Sequence, residues 1–196
     1  MRCQTEEQML SPEMLATNKN VKMIYTQHSM GLYTFPLLSR CYCNNLVDRL
    51  VDFTDWTSDR HANYPTNDVL LKNFCQETCA KYDEMLRNVV LPCVRTLFDA
   101  PLTSDMKHET FVVRYRPDVQ ATLDFHHDQS TFSVITTLSD ISEYEGGGTV
   151  FPAHGNLFLK TDIGVATVHP GNLTHKHGTR PVTAGVRFAI VSFCRL

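Results

Sequence analysis

Apolar residues along this chain follow two periodicities, a helical one in the first half and a β one in the second. Leu46, Val47, Leu50, Val51 and Phe53 recur three and four positions apart, which predicts an amphipathic helix running to about Trp56. Cys79, Tyr82, Met85, Leu86, Val89 and Val90 form the apolar stripe of a second helix over 76–98. Pro92 should kink or divide that helix, because its ring has no N–H to give and clashes with the preceding turn. Tyr33-Thr34-Phe35-Pro36-Leu37-Leu38 reads as a short buried strand ending at a proline turn. The polar stretch 58–67, with Arg60, His61, Tyr64 and Pro65, reads as a loop. Residues 1–29 are polar and aperiodic, so they read as a tail or loosely docked lead-in to one domain over 30–196.

From Thr110 onward the pattern becomes that of strands, whose side chains alternate between two faces. Strand candidates are 110–116, 123–128, 131–138, 149–151, 157–159, 163–168 and 186–193. Turn chemistry separates them, most clearly at Glu145-Gly146-Gly147-Gly148 and His169-Pro170-Gly171-Asn172. No helical pattern interrupts this half, which favours an antiparallel sandwich or barrel over a parallel sheet. Helices first and strands afterwards give an α+β fold, with a jelly-roll (double-stranded β-helix) core and N-terminal helices supporting one face.

Composition narrows the partners. At 196 residues, 42% hydrophobic and 20% charged, the chain suits one globular domain with a substantial core. A net charge of −3 and the lack of a basic cluster argue against nucleic acid. No apolar run nears the roughly 20 residues that span a bilayer, so no membrane partner is expected. Met1-Arg2-Cys3-Gln4-Thr5-Glu6-Glu7 lacks the apolar centre of a signal peptide, which makes the cytoplasm the expected compartment. Seven cysteines, at 3, 41, 43, 75, 79, 93 and 194, include no Cys-x-x-Cys pair. Reduced thiols, buried at Cys79 and Cys93, are expected rather than a disulfide framework or a zinc site.

The candidate chemistry centres on Phe125-His126-His127-Asp128, with His177 and Arg187 downstream. Two imidazoles and one carboxylate, with open positions left over, form the ligand set of non-haem Fe(II) oxygenases. On a strand, His126 and Asp128 point to one side and His127 to the other, so the first two can hold one metal ion. A third ligand has to come from another strand. His175 and His177 share parity, but the ten-residue step from His177 to Arg187 favours His177 and leaves His175 a supporting role. Arg187, in a β-rich run, can supply a guanidinium counter-ion to a two-carboxylate cosubstrate. His154 and His169 lie in turn-like contexts and read as structural.

Longer motifs surround these residues. Phe111-Val112-Val113-Arg114-Tyr115-Arg116-Pro117-Asp118, then His126-His127-Asp128-Gln129-Ser130-Thr131-Phe132, resembles the catalytic domain of procollagen lysyl hydroxylases, within the Fe(II)/2-oxoglutarate dioxygenase superfamily. Tyr144-Glu145-Gly146-Gly147-Gly148, the run from His169 to His177, and Gly185-Val186-Arg187-Phe188-Ala189-Ile190-Val191-Ser192-Phe193 extend the resemblance over about residues 32–194. It implies Fe(II) at His126, Asp128 and His177, with Arg187 on the distal carboxylate of 2-oxoglutarate. It also implies Tyr115 as a hydrogen-bond partner of that cosubstrate, a core strand tyrosine being the alternative.

The resemblance further implies dioxygen as co-reactant, ascorbate as reductant, a homodimer, and hydroxylation of peptidyl lysine at C5 in collagen-like or other peptides. The family resides in the endoplasmic reticulum, against the cytoplasmic expectation. Two positions depart: Ile135 and Ser139 stand where animal lysyl hydroxylases carry asparagine. Substrate contact is expected from the loop carrying Trp56, Arg60, His61, Tyr64 and Asp68. The alternatives are a prolyl or free amino-acid hydroxylase of the same chemistry, or a catalytically silent jelly-roll binding module.

Overall fold

A computed structural model describes residues 9–18, 23–99 and 105–195. Helix α1 (Pro12–Asn18) precedes strands β1 (Thr26–Ser29) and β2 (Leu32–Pro36) and helix α2 (Arg40–Val51). Strand β3 (Asp68–Leu70) leads into α3 (Leu71–Phe74), α4 (Gln76–Met85) and α5 (Leu91–Phe98). The strands that follow are β4 (Lys107–Tyr115), β5 (Leu123–His126), β6 (Phe132–Thr137), β7 (Tyr144–Gly146) and β8 (Thr149–Phe151). After them come β9 (Leu157–Leu159), β10 (Val165–Pro170), β11 (His177–Thr179), β12 (Val182–Gly185) and β13 (Arg187–Arg195).

Helix α2 starts at Ser39, whose hydroxyl accepts the Tyr42 amide at 3.1 Å and satisfies one of the orphan donors of the first turn. It buries Cys43, Leu46 and Leu50 but stops at Val51, short of the expected Trp56. The chain turns there because the Trp56 indole donates to the Phe53 carbonyl at 2.8 Å and the two rings pack edge to face at 5.7 Å. The helical stretch 76–98 is divided, as Pro92 requires. A π-helical turn, Leu86–Val90, separates α4 from α5 just before the residue that cannot donate to the ladder.

Antiparallel pairing builds a seven-stranded sheet in the order β1-β2-β10-β6-β13-β4-β3 and a four-stranded sheet in the order β5-β11-β8-β9. Strands β12 and β7 form a small ribbon. Alternation along β4 and β13 assigns each face of the large sheet a different job. Val112, Phe188, Ile190 and Cys194 join the main core with Leu46, Leu50, Tyr82, Met85 and Val94 from the helices. Phe111, Val113, Tyr115 and Ala189 face the other way, toward a second cluster with Tyr144 and Val182.

Some short strands escaped the alternation pattern. β1, β3, β7, β11 and β12 span three to four residues each and were not anticipated, although β8 and β9, equally short, fall on the candidates 149–151 and 157–159. Strand β5 ends at His126 rather than at 128, and β10 runs through His169 to Pro170 instead of stopping at 168. Part of the lead-in is docked: Met9, Leu10 and Met14 are buried in the main core, and the Ser39 amide donates to the Met9 carbonyl at 2.8 Å. Cys41 is disulfide-bonded, whereas Cys43, Cys75, Cys79, Cys93 and Cys194 are free. No helix among the described residues is long and apolar enough to cross a membrane.

Candidate metal centre

His177 stands directly opposite His126 in the β11·β5 ladder. Cross-strand partners share a face, so a three-residue strand is enough to bring the two imidazoles to a centroid separation of 4.5 Å. Asp128 lies just past the end of β5, yet the alternation persists: His126 and Asp128 are buried while His127 between them is exposed. One ligand atom from each of His126, Asp128 and His177 lies within 4.8 Å of the others. Asp128 Oδ1 is 3.2 Å from His126 Nε2 and 3.7 Å from His177 Nε2.

The protons of these rings can be assigned from their far sides. His126 Nδ1 bonds the Asp124 carbonyl at 2.8 Å and His177 Nδ1 bonds the His175 carbonyl at 3.0 Å. A carbonyl only accepts, so each Nδ1 carries a hydrogen, and a ring that is neutral turns its Nε2 lone pair toward the carboxylate. His169 repeats this arrangement, with Nδ1 on the Pro170 carbonyl at 2.8 Å and an Nε2 that has no partner, 4.0 Å from Asp128 Oδ2. Electron pairs converging on a buried carboxylate fit a cation, and imidazole with carboxylate suits Fe(II) among the first-row ions.

The charges respond to this crowding. Burial alone raises the Asp128 carboxyl, but His177, His126, His169 and the Ser133 hydroxyl together hold it well below the usual carboxylate range. Burial pushes His177 down. It opposes protonation of His126 too, but there the Asp128 carboxylate outweighs it and the imidazole is raised. His169, fully enclosed, is lowered to about 3 by burial and by His177. It is therefore a neutral ring beside the site, not the turn residue that the sequence suggested.

A cavity of about 570 Å³ opens onto the triad. Arg187, 4% exposed, lines it from the start of β13. Its guanidinium lies 5.4 Å from the ring centroid of Tyr115, its register partner on β4, and its charge acts on the Tyr144 hydroxyl, opposing the upward push of burial there. Gly147 adopts φ +65°, and a Cβ there would meet Tyr144 at 3.0 Å and Arg187 at 3.2 Å, so the glycine turn is shaped around the arginine. Tyr115 is a cavity residue whose hydroxyl accepts from Thr179 at 3.3 Å. Val113, Ile135 and Ala189 add apolar lining to the same cavity.

Other expected site residues separate. Ile135 lines the cavity, whereas Ser139 bonds the backbone of Val186 and Phe188. His175 bonds the Met30 carbonyl at 3.1 Å and supports His177 through its own backbone. Of the loop candidates, Arg60, His61 and Tyr64 line the cavity, but Trp56 and Asp68 do not. Trp56 packs on Phe188 at 5.9 Å, on the helical side of the sheet. Ser133 and Thr179 carried no signal in the sequence, because hydroxyls in strands are common and only tertiary contact distinguishes these; Tyr144 appeared only as part of a resembling motif, without a role.

No family model matches the chain. Curated relatives do. The chain is 37% identical over 180 residues to a human protein named multifunctional procollagen lysine hydroxylase and glycosyltransferase, an alignment covering 87% of the chain and 24% of that protein. Mouse procollagen-lysine,2-oxoglutarate 5-dioxygenase 1 is 33% identical over 172 residues, covering 83% and 23%. The chain is a homologue of the procollagen lysyl hydroxylases. It spans about a quarter of the length of these curated relatives. A mimivirus procollagen lysyl hydroxylase and glycosyltransferase is 30% identical over 96% of the chain and 22% of its own length. Among solved structures, a Pseudomonas putida prolyl-4-hydroxylase superposes with TM-score 0.67 at 14% identity, covering 93% of this chain and 98% of that one. A viral collagen prolyl hydroxylase from Paramecium bursaria Chlorella virus-1 gives 0.62 at 15% identity, covering 85% and 97%. These likenesses establish a shared fold between the lysyl hydroxylase homologue and those oxygenases.

Proposed function

We propose that this chain is an Fe(II)- and 2-oxoglutarate-dependent dioxygenase that hydroxylates peptidyl lysine at C5. The observation that carries the reading is one cavity lined by both the His126–Asp128–His177 donor set and the buried Arg187. The names of the relatives, procollagen lysine hydroxylases, support lysine as the target and collagen-like peptides as the first substrates to try. The two facing sheets are read as a double-stranded β-helix, in keeping with the oxygenase neighbours. Ascorbate as reductant and a homodimer as the assembly belong to the same proposal.

In this reading His126, Asp128 and His177 hold the iron. Iron with 2-oxoglutarate and dioxygen supplies an oxidative decarboxylation that yields succinate and carbon dioxide and puts one oxygen atom into a C–H bond. Arg187 binds the distal carboxylate of 2-oxoglutarate, with Tyr144 beside the guanidinium. Tyr115 offers its hydroxyl hydrogen to the same carboxylate while accepting from Thr179. Ile135, Val113 and Ala189 make part of the cavity lining apolar, which would limit water around the bound cosubstrate.

The test is succinate release by the protein with Fe(II), 2-oxoglutarate, ascorbate and a panel of lysine- and proline-bearing peptides, with the modified residue located by mass spectrometry. Asp128→Ala should abolish turnover by removing the only carboxylate of the triad. Undiminished turnover in that variant, or hydroxylation of proline alone, would overturn the reading.

A further inference from the structure

We infer that Tyr64 is a substrate-positioning residue, the aromatic surface against which the target side chain lies beside the metal site. The inference rests on the oxygenase reading above and adds a specificity residue to it. Its basis is the loop 58–67, an irregular segment held more tightly than its lack of secondary structure suggests. Arg60 Nε donates to the fully buried Asp68 carboxylate at 2.6 Å, and Thr66 bonds the other oxygen of that carboxylate. Arg60 also reaches His61 Nε2 at 3.2 Å and Glu109 at 3.3 Å. The Asn67 side chain accepts from Arg114 at 2.8 Å, and Gln120 donates to the Pro65 carbonyl at 2.9 Å.

The anchored loop lines the cavity from Arg60 to Tyr64. His61 packs on Phe111 at 5.2 Å and Phe193 at 6.1 Å, both from the seven-stranded sheet. Three residues later, Tyr64 lies over His126 of the four-stranded sheet, with ring centroids 5.1 Å apart and planes 36° apart. The other loop side chains named here are committed to the scaffold. Tyr64 lines the cavity and remains 40% exposed, so part of its side chain is accessible beside a candidate metal ligand. Fixing a backbone without regular structure costs conformational entropy, and here it holds one aromatic face in the cavity lining. The alkyl stem of a peptidyl side chain gains contact area on such a face, and a cationic end adds attraction to the ring.

The experiment compares wild type, Tyr64→Ala and Tyr64→Phe in full kinetics with lysyl peptide and 2-oxoglutarate varied in turn, together with direct peptide binding to the cobalt(II)-loaded proteins by fluorescence anisotropy. Tyr64→Ala should raise the peptide KM and the peptide Kd about tenfold, the order expected for losing one buried aromatic contact. The KM for 2-oxoglutarate should stay within about twofold of wild type, since that molecule lies on the Arg187 side. Tyr64→Phe, which keeps the ring face, should restore peptide binding. Peptide constants that do not move in Tyr64→Ala, a parallel rise in both KM values, or no rescue by phenylalanine would each overturn the assignment. Failure of the oxygenase reading is distinguishable, because wild type itself would then release no succinate.

Discussion

At the scale of single residues, the candidate metal centre is governed by where its hydrogens are. Three imidazoles present lone pairs around Asp128, so the carboxylate receives no donor from them while they stay neutral. Ser133 fills that gap: its hydroxyl donates to Asp128 Oδ2 at 2.5 Å and is itself linked to Ser130 at 2.8 Å. With Oδ2 fixed by Ser133, Oδ1 is left facing His126 and His177. Partners of this kind orient a ligand and commonly change metal affinity by about 10- to 100-fold when removed. Ser133→Ala should therefore weaken cobalt(II) binding by about tenfold, read by isothermal titration, with the fold intact because the substitution removes only the hydroxyl oxygen. Unchanged affinity would show that Asp128 needs no such partner.

At the scale of elements, the sequence is legible where an element is long and its two faces differ. β4 and β13 gave themselves away because Phe111, Val113 and Tyr115 alternate with Val112 and Arg114, and Arg187 and Ala189 with Phe188 and Ile190. β11, only three residues long, did not, yet it delivers His177. The donor set was legible by parity and spacing, but the role of His169 was not, because Pro170-Gly171 imitates a turn immediately after it. The loop 58–67 is the reverse case: polar in sequence, ordered by one buried carboxylate. Asp68, fully buried on the edge strand β3, takes Arg60 on one oxygen and Thr66 on the other. Removing one partner of a buried pair leaves the other charge without compensation, at a cost of several kcal/mol. Because Arg60 keeps Glu109 and some exposure, Asp68→Ala should cost on the order of 3 kcal/mol in urea unfolding. A loss under about 1 kcal/mol would mean that the loop is held by Asn67 and Gln120 instead.

At the scale of the whole molecule, the seven-stranded sheet separates stability from chemistry. Its cavity face holds buried charge and open space, so it contributes little cohesive packing; the helical face carries the larger apolar cluster. Met9, Leu10 and Met14 close that cluster from the N-terminal side. Helix α1 has only seven residues, too few to persist alone in water, so burial of these side chains and the bonds from Ser11 to Leu37 and from Ser39 to Met9 must hold it. Met14 is 2% exposed, and truncating such a side chain to alanine costs about 2–4 kcal/mol. For a chain of this length that corresponds to a fall in Tm of roughly 5–10 °C. Cobalt(II) affinity at 25 °C should stay at the wild-type value in Met14→Ala, because Met14 belongs to the core on the opposite face from the cavity. A Tm shift below about 1 °C would show that the N-terminal segment is only loosely attached. A lowered metal affinity would show instead that the two faces are coupled, and that the helical layer holds β5 and β11 in register as well as the core.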